Sequence, residues 1–350
     1  MPEVLSLTNA PLMFVIVMLV KIAVVFGVVM GIVAWATWVE RKVIGHMQTR
    51  LGPTRTGPLG LLQPIADGLK LFFKEDIIPS EASKFAYIVA PMMILVPSLI
   101  TVAVVPFGFD MELTVEGVTY LVPLQIADLN VGILYILAMA GLGVYGIVLG
   151  GWASNSKYSI LGGIRSSAQM ISYELAAGLA IVSVFMLSET LSLRGIVEAQ
   201  QGPWLESLAF VPNWYVFSQP VAFALFVVAS MAEINRTPFD LPEAETELVS
   251  GFCTEYSAMK YALFFMAEYA NMVVIGAITA TLFLGGPAGP FPGVINLLIK
   301  IFAFMFAMMW IRATFPRVRY DQLMWLGWKV FIPLSLVNIF VTGIVVVLQQ

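Results

Sequence analysis

Eight apolar segments, each long enough to cross a bilayer, constrain this chain more than any other feature. A spanning helix needs about 20 mostly apolar residues. The stretches at roughly 12–39, 86–107, 128–152, 166–187, 213–233, 256–284, 293–314 and 327–348 meet that length. Hydrocarbon offers no partner to a backbone N–H or C=O, so a spanning segment must be a helix unless it closes into a barrel. The expected fold is all-α: a polytopic membrane protein, one integral domain over 1–350. Composition agrees, with 59% hydrophobic and 11% charged residues, against about 25% charged in soluble domains. The first segment, about 28 residues and so ~42 Å as a helix, must tilt or project beyond the lipid.

Charge placement then orients the helices, because Lys and Arg collect on the cytoplasmic side. The connection after the first segment holds Arg41, Lys42, Arg50, Arg55, Lys70, Lys74 and Lys84. Lys157 and Arg165 follow the third segment, Arg236 the fifth, and Arg317 and Arg319 the seventh, with Arg312 at its end. The alternate connections are poor in cations: 108–127 has Asp110, Glu112 and Glu116 but no Lys or Arg, and 188–212 has only Arg194. Both termini are therefore expected outside. The N-terminal region, with Glu3 as its one charge and no cleavage site, reads as a retained first helix and not a signal peptide.

The first connection carries a further element. Apolar residues at 62, 65, 66, 69, 72 and 73, with Gln63, Asp67, Lys70 and Lys74 between them, follow a helical period over 59–74. Sixteen residues are too few to span, so an amphipathic helix lying in the interface is expected.

One cysteine, Cys253, and one histidine, His46, exclude much chemistry. A four-cysteine iron–sulfur site, a structural zinc and bis-histidine haem ligation all need more ligands. No internal disulfide can form, no metal site is expected, and no redox group belongs to this chain.

The carboxylates are more informative. Glu233, Asp240, Glu243, Glu245, Glu247 and Glu255, six of the 22 acidic residues, fall within 23 positions between two apolar segments, answered by Arg236. Like charges this close raise one another's pKa and titrate as a coupled set. Pro238 and Pro242 hold the backbone out of helix there. A solvated acidic loop is the competing reading, and the flanking Glu233 and Glu255 weigh against it. Glu174 and Glu268 fall inside segments, about 12 and 18 Å from their starts, where ionisable residues commonly mark ion routes and otherwise fix packing as static buried pairs. Lys260 lies too far along the axis to bond Glu268; Lys21 is inside the first segment, and Lys300, near an outer edge, is expected to snorkel. Gly141-x-Gly-x-x-Gly146 lacks the preceding strand of a dinucleotide site. The Gly27/Gly31 and Gly146/Gly150 spacings read as close helix packing.

The runs Glu40-Arg-Lys, Gln48-Thr-Arg50-Leu-Gly52-Pro53, Gly57-Pro-Leu-Gly60 and Gln63-Pro-Ile-Ala-Asp67-Gly-Leu-Lys70 resemble the first-loop signature of one membrane-subunit family of NADH-quinone oxidoreductase, respiratory complex I. The mitochondrial counterpart in that family is NADH dehydrogenase subunit 1. Arg165-Ser-Ser-Ala-Gln-Met-Ile-Ser-Tyr-Glu174, Asn235-Arg-Thr-Pro-Phe-Asp240-Leu-Pro-Glu-Ala-Glu-Thr-Glu247 and Glu255-Tyr-Ser through Ala-Glu268-Tyr are similar to further motifs of that family, in the same order.

The resemblance implies a proton-translocating NADH:quinone oxidoreductase in which this chain carries no redox centre. It would form the membrane half of a quinone chamber, with the headgroup reduced in a peripheral subunit. Glu40, Arg41, Arg50, Asp67, Lys70, Arg236, Phe239 and Asp240 would line or support the chamber. Glu243, Glu245 and Glu247 would sense quinone charge, and Glu233, Glu174, Glu255 and Glu268 would couple it to proton movement. NADH, FMN and iron–sulfur clusters would belong to partner subunits. The implied partners are peripheral quinone-site and iron–sulfur subunits on the cytoplasmic side, and small and antiporter-like membrane subunits. The implied location is the bacterial inner membrane, with both termini periplasmic and no nucleic acid involved. Two rival readings are a homologous membrane subunit of a membrane-bound hydrogenase and a stand-alone cation or proton transporter; the latter lacks an inverted repeat.

Overall fold

The computed structural model describes residues 4–6, 11–115, 118–202, 212–241 and 248–349. Among these, seven helices are long and apolar enough to span a membrane. They include α1 (Pro11–Met47), α3 (Lys84–Thr101), α4 (Gly132–Ala153) and α5 (Lys157–Ser188). The short α2 (Gln63–Phe73), α6 (Leu193–Ala199), α7 (Tyr215–Ser218) and α8 (Pro220–Glu233) fall between or after them. The remaining spans are α9 (Ala258–Phe283), α10 (Gly293–Thr314) and a last one that starts as α11 (Tyr320–Leu326), passes through a π-helical turn at Gly327–Phe331 and continues as α12 (Ile332–Gln349).

The expected fifth span is interrupted. Over 213–233 the chain makes a single turn, α7, and then α8 of 14 residues, so this crossing is built from two helical pieces joined at Gln219. Pro220 explains the break, since it has no N–H to extend a helix from the preceding turn. The polar groups at the break are satisfied from α12: Gln219 donates to Thr342 Oγ1 at 2.9 Å and accepts from Asn338 at 3.0 Å. The fourth span also differs, because α5 starts at Lys157, so Lys157 and Arg165 ride on a helix and not in a loop. The interfacial helix is shorter than 59–74: Leu59 has a positive φ inside a 3-10 turn at Pro58–Gly60, and α-helix begins only at Gln63. Gly60 closes this turn at φ 78°, where a Cβ would strike the Pro53 carbonyl. The 37 residues of α1 extend ~55 Å, more than the ~30 Å hydrocarbon core, so α1 tilts or projects beyond it.

The acidic connection 108–127 is not wholly irregular. Strand β3 (Val118–Val122) pairs antiparallel with β2 (Met111–Val115) and parallel with β1 (Val4–Ser6), making a small sheet at the end of the bundle opposite α2. Arg194 on α6 clamps it through two bonds to Asp110 at 2.9 and 3.0 Å. Those bonds, then the one to Glu198, hold the guanidinium above its ordinary pKa in spite of partial burial.

Helix α9 is the centre. Of its most apolar 18-residue window 72% is buried, against 6% for α1 and 17% for the last span, which are peripheral. Small residues let neighbours approach. A Cβ at Gly146 would collide with Ile94 and lie 2.9 Å from the Ala90 carbonyl, so α4 sits directly against α3. The Gly27/Gly31 spacing does not pack a helix of this chain: among the described residues nothing lies within 4 Å of a Cβ at either position, where α1 is exposed. Pro91 in α3 cannot bond the Tyr87 carbonyl, and the Tyr256 hydroxyl takes its place at 3.2 Å while the two tyrosine rings stack at 4.1 Å. Lys300 does not snorkel. Its ammonium caps the carbonyls of Leu284, Gly286 and Ala288 at 2.5–2.7 Å, as suits a cation at the C-terminus of α9.

Candidate functional site

At the α2 end of the bundle three helices and one loop converge on four charges. Glu40 on α1 and Arg236, just beyond α8, are each 4% exposed. The Arg236 guanidinium donates to Glu40 Oε2 at 2.8 Å and to Glu268 on α9. Its plane lies 4.3 Å over the ring of Tyr269, which itself donates to Glu40 Oε2 at 2.7 Å. Arg312 on α10 takes the other Glu40 oxygen. Two carboxylates and two guanidinium groups balance, which is how a buried ionic group is tolerated. Burial works against the charge on Arg236, but Glu268, Tyr269 and Glu40 outweigh it and hold its pKa well above the ordinary value. The expectation that Arg236 answers the surrounding acidic loop is therefore corrected: among the described residues it reaches past Glu233 and Asp240 to carboxylates on α1 and α9.

This cluster forms one wall of a cleft of about 690 Å³, lined also by Arg41, Ile44, Arg50, Leu51, Gly52, Pro53 and Phe265. That volume lies in the range of ligand pockets. Helix α2 folds over α1 beside it, with Asp67 paired to Arg41 at 2.7 Å and ordered by Gln63 at 3.0 Å, which Thr56 holds in turn. Lys260 on α9 pairs with Asp76 at 2.7 Å, and the Ile77 amide donates to Ser257, so the end of the first connection is tied to the start of α9.

The chamber residues expected from the sequence thus divide. Glu40, Arg41 and Arg50 line the cleft, Arg236 stands behind its wall, and Asp67 secures Arg41. Lys70 is exposed on α2 and does not reach the cleft. Phe239 is a core side chain, 6.1 Å from the Tyr173 ring. Asp240 pairs with Arg317 at 3.1 Å; burial pushes its pKa up, Arg317 opposes this and Glu268 adds to it.

The coupling residues divide too. Glu243, Glu245 and Glu247 lie outside the described residues. Glu233 and Glu268 share a small cavity of about 40 Å³ with Asn235 and Asn271, and Glu233 also lines a second one of about 60 Å³ reaching between α3, α4 and α5. Glu174 faces α4, its Oε1 3.1 Å from where a Gly141 Cβ would sit, and is near enough to Glu233 for their charges to interact. Glu255 is half-buried before α9, and its carbonyl accepts from Tyr87 at 2.6 Å.

Sequence reasoning misses Tyr269, Arg312 and Arg317. Arg312 and Arg317 count there only as topology markers, and Tyr269 is masked by ordinary aromatic content, although its place beside Glu268 is a usable signal.

Comparison with known proteins agrees over almost the whole chain. A family model described as NADH dehydrogenase matches residues 20–343. The chain is 64% identical to the NADH-quinone oxidoreductase H subunit 1 of Geobacter sulfurreducens over 99% of both chains. It is 63% identical to the H subunit 2 of Geobacter metallireducens over 98% of this chain and 99% of that one. With the H subunit of Thermomicrobium roseum it shares 53% identity over 92% and 94%.

Proposed function

Because this chain belongs to the NADH dehydrogenase family, as a multi-pass membrane subunit of NADH-quinone oxidoreductase, we propose that its cleft is the membrane half of a quinone chamber. The same reading makes its buried carboxylates the link from quinone reduction to proton translocation. The carrying observation is the double position of Glu268. It bonds Arg236 in the cleft wall and also lines the cavity that holds Glu233.

The chemistry follows from that position. A quinone admitted from the bilayer between α1, α2 and α9 meets Arg41, Arg50 and Arg312 along the cleft. Its headgroup is reduced beyond them, in a peripheral subunit that carries the terminal iron–sulfur cluster. NADH and FMN act further away still. Negative charge arriving on the quinone competes with Glu40 and Glu268 for the guanidinium groups. A carboxylate that loses its cation partner takes up a proton more readily. Glu268 then passes the change inward to Glu233 and Glu174, and towards the small and antiporter-like membrane subunits. The cleft end faces the cytoplasm in this reading, the termini face the periplasm, and the membrane is the bacterial inner membrane.

Glu268→Gln in the assembled complex tests this. NADH oxidation by an artificial acceptor should persist, while quinone reductase activity and proton pumping fall together. Full pumping in the variant refutes the reading.

A further inference from the structure

An uncharged polar side chain, Asn271, lies where the two small cavities meet. Among the described residues, Glu233 and Asn271 are the only polar ones that line both. The amide of Asn271 accepts from Ser98 on α3. The Ser98 hydroxyl also lies 2.9 Å from the Ile94 carbonyl, yet has one hydrogen to give. Its proton can point to Ile94, leaving its oxygen to accept from an Asn271 amide turned over, or point to Asn271. The pair therefore has two self-consistent hydrogen-bond arrangements of opposite direction. Beside it, the fully buried Ser230 hydroxyl lines the larger cavity and makes no hydrogen bond to the protein among the described residues. Asn235 Oδ1, on a residue lining the smaller cavity, is likewise without a protein donor among them. Buried polar groups take partners. Cavities of about 60 and 40 Å³ exceed the ~10–15 Å³ that one water requires and offer the two to four polar partners it needs.

We propose that Asn271 is a positioning residue that orders water between Glu268 and Glu233, so that a proton passes from one carboxyl to the other. The step balances without electrons. The O–H of protonated Glu268 breaks as its proton joins the water; the water releases another of its protons, and a new O–H forms on Glu233. Asn271 is neither protonated nor deprotonated. This inference rests on the carboxylate reading above.

The test compares Asn271→Thr with Asn271→Val in the assembled complex, in membranes. The two side chains share a shape and differ by a hydroxyl, so a packing defect strikes both alike. Artificial-acceptor NADH oxidation reports assembly, and quinone reduction with pumping reports coupling. Thr should keep most coupled turnover. Val should lose roughly ten-fold relative to Thr, the factor that one hydrogen bond of about 1.4 kcal/mol is worth. Equal activity in the two variants, high or low, overturns the proposal. Glu233→Gln, run alongside, separates the two levels. If it is impaired while Thr and Val agree, the bridge is wrong and the carboxylate path stands. If it pumps normally, the path itself fails.

Discussion

Removing Arg236 is the perturbation that most directly interrogates the buried cluster. Arg236→Gln deletes ionic hydrogen bonds to Glu40 and Glu268 and the cation over Tyr269. Breaking one partner from a buried pair costs about 3–5 kcal/mol, mostly because the other charge is left stranded. Glu40 is not wholly stranded, since Arg312 and Tyr269 still hold it. Glu268 loses its ion-pair partner but lines a cavity that also holds Asn235 and Asn271. Both facts place the cost at the low end, about 3 kcal/mol.

A loss of one or two kcal/mol already changes protein abundance several-fold in cells. Assembled complex, measured as artificial-acceptor NADH oxidation per milligram of membrane protein, should therefore fall several-fold in Arg236→Gln. Adding Glu268→Gln removes the stranded charge, so the double variant should recover assembly relative to Arg236→Gln alone, with a coupling of roughly 1–3 kcal/mol. Arg236→Lys should rescue poorly, because an ammonium cannot present two fixed N–H edges to two carboxylates. A double variant as damaged as the sum of the singles would refute the view that these groups act as one network.

Three further outcomes are expected. Asp67→Ala frees Arg41 beside the cleft and should raise the apparent KM for a short-tail quinone by about two- to five-fold, the worth of an ion pair of up to ~1 kcal/mol; an effect on assembly alone would make α2 a structural strut. Glu245→Gln, in the crowded acidic segment, should slow quinone-linked turnover and pumping and spare artificial-acceptor oxidation. For Asp240 the folded pKa lies above the ordinary 3.8, so its contribution is fully present below that value and is lost as pH rises through the folded value. Thermal inactivation of Asp240→Asn, compared with the unsubstituted complex, should therefore show a penalty that shrinks as pH rises above 3.8; a growing penalty would show that the Arg317 pair dominates burial.

The fold is legible in the sequence where one physical constraint dominates, and the site only where charges are scarce. Seven spans follow from apolar length because hydrocarbon leaves the backbone no alternative to helix. The segment at 213–233 reads as one span but is a broken helix, since hydropathy counts residues and ignores the break that Pro220 imposes. The sheet at 111–122 escapes notice although Val-, Thr- and Tyr-rich runs flank a glycine there, a strand signal outweighed by the acidic residues nearby. Glu268 stands out because a membrane chain retains few charges inside its spans without use, whereas Glu40 and Arg236 enter as chamber residues only through the family resemblance. Their mutual contact is invisible, since helical periodicity gives the face of a helix and never its neighbour. That is why Arg312 passes as a topology marker and why the Gly27/Gly31 and Gly146/Gly150 spacings look alike, though Gly146 meets another helix at backbone distance and the first pair meets none of the described residues. The same limit bears on Asn271. An amide among apolar residues has no pattern of its own, and its significance comes only from α3 supplying Ser98 on one side and α8 supplying Glu233 on the other. Charge in this protein is therefore encoded residue by residue, whereas the path between charges is encoded by which helices touch.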